Sequence, residues 1–344
     1  MVCNTIREIL VQAQERFGDQ DAIRYKIGKD QTESKTYTQL REDSEHFSGA
    51  LKNMEMQGAH VAIVGMTSYY WMVAYLGTVN CSSVAVPLDV ALPAAELCEL
   101  IDRADVTALV YDEIRADVAE LAKKNCPKLQ KIISMQKEEH EGEVLSMKRL
   151  LEESECGFDV WANPEDLCTI MFTSGTTGKS KGVMLTQNNL ATNVEYVRYT
   201  AEPGTPMLSV LPIHHAFCLV MDWLKGFSLG ATVCINDSLL HMVKNMGVFK
   251  PQVILMVPMM VETIYKRLSA ADPAIPKQAL AANVFGGNLK IIFTGGAHLD
   301  PFYIEKFAEY GVNIYEGYGM SECSPVISSN MPDDHKPGSM GRPL

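Results

Sequence analysis

The chain has 344 residues, 47% of them hydrophobic, with 42 acidic against 30 basic side chains and a formal charge of -12. That length can build more than one core, and that charge excludes an electrostatic nucleic-acid binder, which needs a basic surface to release phosphate counterions. A polyanionic ligand therefore has to be held locally, by a loop or a metal.

From the N-terminus, MVCNTIREILVQAQERFGDQ has the apolar spacing of an amphipathic helix, and Arg7 and Glu8 stand where a secretory signal would be apolar, so no signal peptide is expected. Nine cysteines, an odd number without a CxxC pair, read as reduced thiols and predict a cytoplasmic protein. Residues 56 to 88 contain no Asp, Glu, Lys or Arg, long enough to raise a transmembrane helix. Gly65, Thr67, Ser68, Asn80, Ser82, Ser83 and Pro87 break that run into VAIVGM, SYYWMVAYLGTVN and SVAVPL, the pattern of a buried strand, helix and strand. No transmembrane segment is predicted; peripheral membrane contact and any oligomeric state stay open.

The alternation continues along the chain. TALVYD, KIISM, LCTIMF, MLSVLP, TVCIN, VILMVP, LKIIFTGG and VNIYEGYG are short aliphatic runs suited to buried parallel strands. LREDSEHFSGALKNM, ALPAAELCELIDRA, IRADVAELAKK, LLHMVKNMGVF and PFYIEKFAEY have helical periodicity. The predicted fold class is α/β, two doubly covered and mostly parallel sheets packed together, in approximate subdomains 46–204 and 1–45 plus 205–330. The acidic stretch QKEEHEGE at 136–143 reads as a solvated loop.

The densest chemical signal is TSGTTGKSKGVMLT, Thr173 to Thr186. Gly178, Lys179 and Ser180 match the end of the nucleotide loop GxxxxGK[ST], but Thr173 stands at its first glycine, and the residues beyond Lys179 are strand-like where that loop needs a helix. Thr186 instead caps a later helix, QNNLATNVEYV, so the segment predicts a glycine-rich hairpin between LCTIMF and GVMLT. Gly175, Gly178 and Gly182 allow positive φ and close backbone approach. Thr173, Ser174, Thr176 and Thr177 crowd hydroxyls beside backbone N–H groups, and Lys179 and Lys181 add charge, so the loop can wrap a pyrophosphate.

Further on, LPIHHAF puts His214 and His215 after an apolar strand; without another Cys, His or Asp set at metal spacing, they read as a gate or a neutral partner of a carboxylate. LKIIFTGGAHLD places Gly295, Gly296 and Ala297 after a strand, where small residues let a flat ring lie against backbone. VNIYEGYGMSE is again a strand running into a tight loop.

Together these segments resemble the signatures of the AMP-forming adenylating enzymes, the superfamily of acyl-CoA synthetases, peptide-synthetase adenylation domains and beetle luciferases. TSGTTGKSKGV is similar to their [ST]SG[ST]TGxPKGV loop, with Ser180 in place of the usual Pro, and LPIHHAF to their Pro-x-x-His segment, with His215 at the matching position. FKPQVILMVPMM resembles Lys-Pro-(x)n-Val-Pro, and IYEGYGMSE resembles (Asn/Gln/Glu)-x-Tyr-Gly-x-(Thr/Ser)-Glu. The resemblance extends more weakly to KTYTQLRED at 35–43 and to GSMGRPL at the end.

The resemblance implies that Thr173, Ser174, Gly175, Thr176, Thr177, Gly178 and Lys181 grip the pyrophosphate of ATP. It implies that Tyr318, between Gly317 and Gly319, stacks on adenine opposite Gly295, Gly296 and Ala297, that Glu316 lies near the adenine amino group, that Ser321 bonds the α-phosphate and that Glu322 carries Mg²⁺. His215, Lys181, Ser321 and Glu322 are the implied catalytic set. The implied reaction joins a small-molecule carboxylic acid to AMP from ATP and then to coenzyme A, with no nucleic-acid partner.

Amino-acid-activating members hold the substrate ammonium with an aspartate in the segment where this chain has HHAFCLV, and no acid stands between Leu211 and Met221. A buried ammonium without a carboxylate is costly, so the apolar HAFCLVMDWLKGFSLG points to a fatty acid, with an aryl acid or a non-catalytic adenylate-binding module as alternatives. In the family the Gly-Ser-x-Gly-x-Pro segment opens a β-barrel subdomain, followed by a ribose-binding aspartate and a mobile cap domain with a catalytic lysine. Residues 1–344 are therefore expected to be the N-terminal adenylating-enzyme domain without those parts, and inactive or nearly so alone.

Overall fold

The computed structural model describes residues 2–29, 31–155, 162–173 and 180–344. Ser174, Gly175, Thr176, Thr177, Gly178 and Lys179 of the predicted phosphate loop lie outside the described residues; Thr173, Ser180 and Lys181 lie inside them. In chain order the strands are β1 (Asp21–Lys26), β2 (Thr32–Thr36), β3 (His60–Val64), β4 (Val84–Leu88), β5 (Val106–Tyr111), β6 (Lys131–Ser134), β7 (Val144–Ser146) and β8 (Leu167–Thr173). They continue with β9 (Lys181–Thr186), β10 (Pro206–Ser209), β11 (Thr232–Ile235), β12 (Val253–Met256), β13 (Ile291–Thr294), β14 (Asn313–Gly319), β15 (Val326–Ser329) and β16 (Arg342–Pro343).

The chain forms two compact units, Met1–Gln14 with Tyr37–Thr192 and Pro212–His215, and Glu15–Thr36 with Asn193–Leu211 and Ala216–Leu344. The sheet of the first runs β7-β6-β5-β3-β4-β8-β9, parallel except for its last pair. Every residue of β4 and all of β3 after His60 are buried, which is why these strands read as unbroken aliphatic runs: both faces of the sheet are covered. The helix Tyr69–Asn80 starts at Ser68, whose side chain accepts the Trp71 N–H, and is buried nearly all round. The charge-free run is thus strand, core helix and strand, and among the described residues no helix is long and apolar enough to cross a membrane. Gly77 sits in that helix because the helix Tyr37–Asn53 crosses it closely; a Cβ there would stand 2.8 Å from Ser44 O and 2.9 Å from Phe47 Cβ.

The second unit's sheet runs β16-β15-β14-β13-β12-β10-β11-β1-β2. From β14 to β1 neighbouring strands are parallel, and antiparallel pairs close both ends. The carboxyl ends of the parallel strands therefore share one edge, where α/β sheets place their ligands. Two mostly parallel, helix-covered sheets are the fold class the sequence predicts.

Candidate functional site

In the first unit, Thr173 pairs with Lys181 and Leu167 with Thr186, so β8 and β9 run antiparallel along the whole of both strands. Lys181 is exposed and Thr173 half-buried at one end of the pair. That end is tied from outside: Arg103 donates to Ser180 O at 2.7 Å and lies over the Phe172 ring at 5.6 Å. Gly182 is not among the positive-φ residues; a Cβ there would stand 2.9 Å from Ile170 Cγ2, so this glycine serves cross-strand contact, not turning. After β9, Asn189 N–H donates to Thr186 Oγ1 at 3.2 Å and Thr186 N–H to Asn189 Oδ1 at 3.0 Å, a reciprocal cap that starts the helix Gln187–Tyr196.

The same unit holds the two histidines. His215 is exposed, on a turn closed by its N–H to Pro212 O, and its ring lies 4.2 Å from that of His214. His214 is the more buried; its Nε2 has no hydrogen-bond partner and stands 3.8 Å from Asp89 Oδ2. Loss of solvent lowers the proton affinity of both against the opposing pull of Asp89, with His214 brought down to about 4, so both are neutral at pH 7.

The second unit builds the opposite kind of surface, from backbone and shape. Residues 295–299 follow β13 at its carboxyl end, beside the carboxyl end of β14. Gly295 is buried, and a Cβ on it would stand 3.2 Å from Gly317 O and 3.7 Å from Phe217 Cζ. Gly296, at φ +82°, and Ala297 are exposed. On β14, Glu316 is 2% exposed; its Oε1 accepts the Leu299 N–H at 3.1 Å while Oε2 is buried without a partner. Tyr318, two residues on and so on the same face of the strand, is 49% exposed. Gly317 is half-buried, and at Gly319 a Cβ would meet Pro325 O at 2.1 Å, so no side chain fits.

Ser321, half-buried, and Glu322, exposed, form a short turn directly after this strand. Asn193 fixes it: Nδ2 donates to Val326 O at 2.9 Å and to Cys323 O at 3.3 Å, while Oδ1 accepts the Val326 N–H at 3.2 Å. Neither Asn193 nor Arg103 carries a signal in the sequence, since each is a polar residue of an amphipathic helix until its distant partner is known. The apolar segment after His215 forms a π-helix, Phe217–Leu224, with wider turns than the α-helix its composition suggests.

Comparison with known proteins agrees with this architecture. Among solved structures, an anthranilate CoA ligase in complex with anthranoyl-AMP superposes with TM-score 0.84 at 19% identity over 98% of this chain and 63% of its own. A long-chain-fatty-acid-CoA ligase from Archaeoglobus fulgidus gives 0.83 at 19% over 98% and 68%. Long-chain-fatty-acid–CoA ligase 5 of Rattus norvegicus is 25% identical over 371 residues, 90% of this chain and 53% of that protein. The chain spans about half the length of the curated relatives it matches. The family model described as AMP-binding enzyme matches residues 10–344, the whole stretch from the first helix through both sheets, and the chain belongs to that family.

Proposed function

We propose that the protein activates a carboxylic acid with ATP, releasing pyrophosphate and forming an acyl-adenylate, and passes the acyl group to coenzyme A as a thioester, the acid being a fatty acid. The observation that carries this reading is Glu316, a buried carboxylate with one oxygen tied to Leu299 and the other free to accept a bond. A free acceptor beside an exposed tyrosine ring and small residues 295–297 suits a flat base with an exocyclic amine. In this reading Tyr318 stacks on adenine, Glu316 takes its amino group, Ser321 bonds the α-phosphate, and Thr173, Lys181 and residues 174–178 hold the pyrophosphate. A magnesium ion asks one or two carboxylates of a protein and takes its other ligands from phosphate and water; Glu322, exposed on its turn beside the Ser321 hydroxyl, fits that demand, and bound there the ion would neutralise phosphate charge.

The chemistry needs position and charge more than proton transfer. A carboxylate oxygen bonds to the α-phosphorus as the bond to the pyrophosphate oxygen breaks; the thiolate sulfur then bonds to the acyl carbon as AMP leaves. Lys181 supplies charge where the leaving group develops it, and His215, neutral at pH 7, gates the acyl site without adding charge. The apolar helix Phe217–Leu224 and the names of the long-chain relatives support a fatty acid, and eight free cysteines among the described residues fit a cytoplasmic location. Exchange of labelled pyrophosphate into ATP tests the reading: label should enter only with a carboxylic acid present, more with long-chain acids than with benzoate. Exchange independent of acid would contradict it.

A further inference from the structure

The turn that carries Ser321 and Glu322 is not held by its own residues alone. Within it, Met320 N–H donates to Pro325 O at 2.9 Å, Cys323 N–H donates to Met320 O at 2.9 Å, and Ser324 takes left-handed backbone, φ +70°. A residue with a Cβ stays in that region only where its surroundings oblige it. From outside the turn, Asn193 supplies three bonds. It is 9% exposed, in the last turn of the helix Gln187–Tyr196. Its Oδ1 and Nδ2 take the N–H and the carbonyl of Val326, the first residue of β15, as a neighbouring strand would, and Nδ2 also reaches Cys323 O.

The helix end that presents this amide is itself fixed. Lys225 is 7% exposed, and its Nζ donates to Val194 O at 3.0 Å. That carbonyl is among the last four of the helix, which find no partner inside it and which a cation suits. Three residues beyond the helix, Tyr199 packs edge-on against Phe293 of β13, with ring centroids 4.9 Å apart. The amide is therefore referred to the strand beside β14, and β14 runs directly into the turn.

We propose that Asn193 is a positioning residue for carboxylate activation: it holds the 320–326 turn so that the Ser321 hydroxyl stays aimed at the α-phosphate with Glu322 beside it. The inference rests on the adenylation reading above. Groups that meet one phosphate have to be held to within about 0.5 Å, and a residue that does so need not touch the ligand. The adenine contacts do not depend on this turn, because Glu316 and Tyr318 stand on β14 itself. Loss of the clamp is therefore selective: it weakens the grip on phosphate and spares the base.

Calorimetric titration of the full 344-residue chain with adenosine and with AMP, in the absence of magnesium, tests it. Asn193→Ala should weaken AMP by about tenfold, the worth of one bond to a charged group, and leave adenosine within about twofold. In a Ser321→Ala background the same substitution should weaken AMP by less than about twofold more, because the group through which it acts is already gone. Asn193→Asp keeps the volume of the side chain and an acceptor for Val326 N–H but loses both donations; it should show the same selective loss, and it carries the comparison if Asn193→Ala does not fold. Equal losses for adenosine and AMP, no loss for either, or a tenfold loss that persists without the Ser321 hydroxyl would overturn the inference alone. A native chain that binds neither adenosine nor AMP would overturn the adenylation reading and this inference with it.

Discussion

The carboxyl edge of β13 and β14 and the helix Phe217–Leu224 each bury an acid with one oxygen unmet, and they hold it differently. Glu316 is pinned by its surroundings: its carbonyl accepts from Asn330 N at 2.9 Å and Asn330 Nδ2 at 3.1 Å, and its Oε1 from Leu299 N at 3.1 Å. Its free oxygen therefore points in one direction. Asp222 has a thiol and the end of a hydroxyl network for company, and burial pushes its pKa up to about 7. A strand with backbone donors fixes where an acceptor points; an apolar helix fixes instead whether the group is charged.

The largest expected effect comes from the helix. The folded value of Asp222, about 7, lies above its ordinary 3.8, so the native state holds this proton more tightly than the unfolded chain, and stability falls as pH rises between those two values. Asp222→Asn removes that loss. Denaturant titrations should find the variant about 2–4 kcal/mol more stable than the native protein at pH 8 and without advantage near pH 3. Equal stability at pH 8 would mean that Asp222 is as well paired as Glu316, and the contrast would vanish.

On the strand side, Tyr318→Ala should weaken AMP binding by about 10- to 100-fold, the worth of about 1–3 kcal/mol for one stacked base. The melting temperature should hardly move, because the ring is 49% exposed. Glu316→Gln should weaken adenosine nucleotides by about tenfold and leave inosine nucleotides, which lack the amine, nearly unchanged; equal losses for both would assign Glu316 a structural role only. Smallest is Arg103→Ala. Its bond to Ser180 is exposed, so stability should fall by less than about 1 kcal/mol, while ATP should weaken more than AMP if the hairpin holds pyrophosphate.

The parallel strands were legible because burial on both faces writes them as aliphatic runs, VAIVGM and VILMVP among them. The hairpin of β1 and β2 was not: TESKT is the edge strand, half-buried or exposed throughout, and in DAIRYK only Ala22 and Ile23 are buried, so neither has that signature. The β8–β9 hairpin could be read from the strand-like KGVMLT and the cap at Thr186, both local signals. Motif spacing singled out Glu316, Tyr318 and Ser321 as candidates, all on or directly after β14, but not the clamp by Asn193, which spans over a hundred residues of sequence. Asp222 stands just past the stretch Leu211 to Met221, which holds no acid to pair with a substrate ammonium. It is buried on a helix of π winding with one oxygen unmet, and no local sequence pattern announces either.

The central claim is that Glu316 and Tyr318 receive the adenine of an adenylate. A crystal structure of the protein with a non-hydrolysable acyl-adenylate tests it most directly, through the distance from Glu316 Oε2 to the exocyclic amine. The expected distance is about 3 Å, with the base between the Tyr318 ring and residues 295–297. A base bound elsewhere, with Glu316 Oε2 still unpartnered, would contradict it.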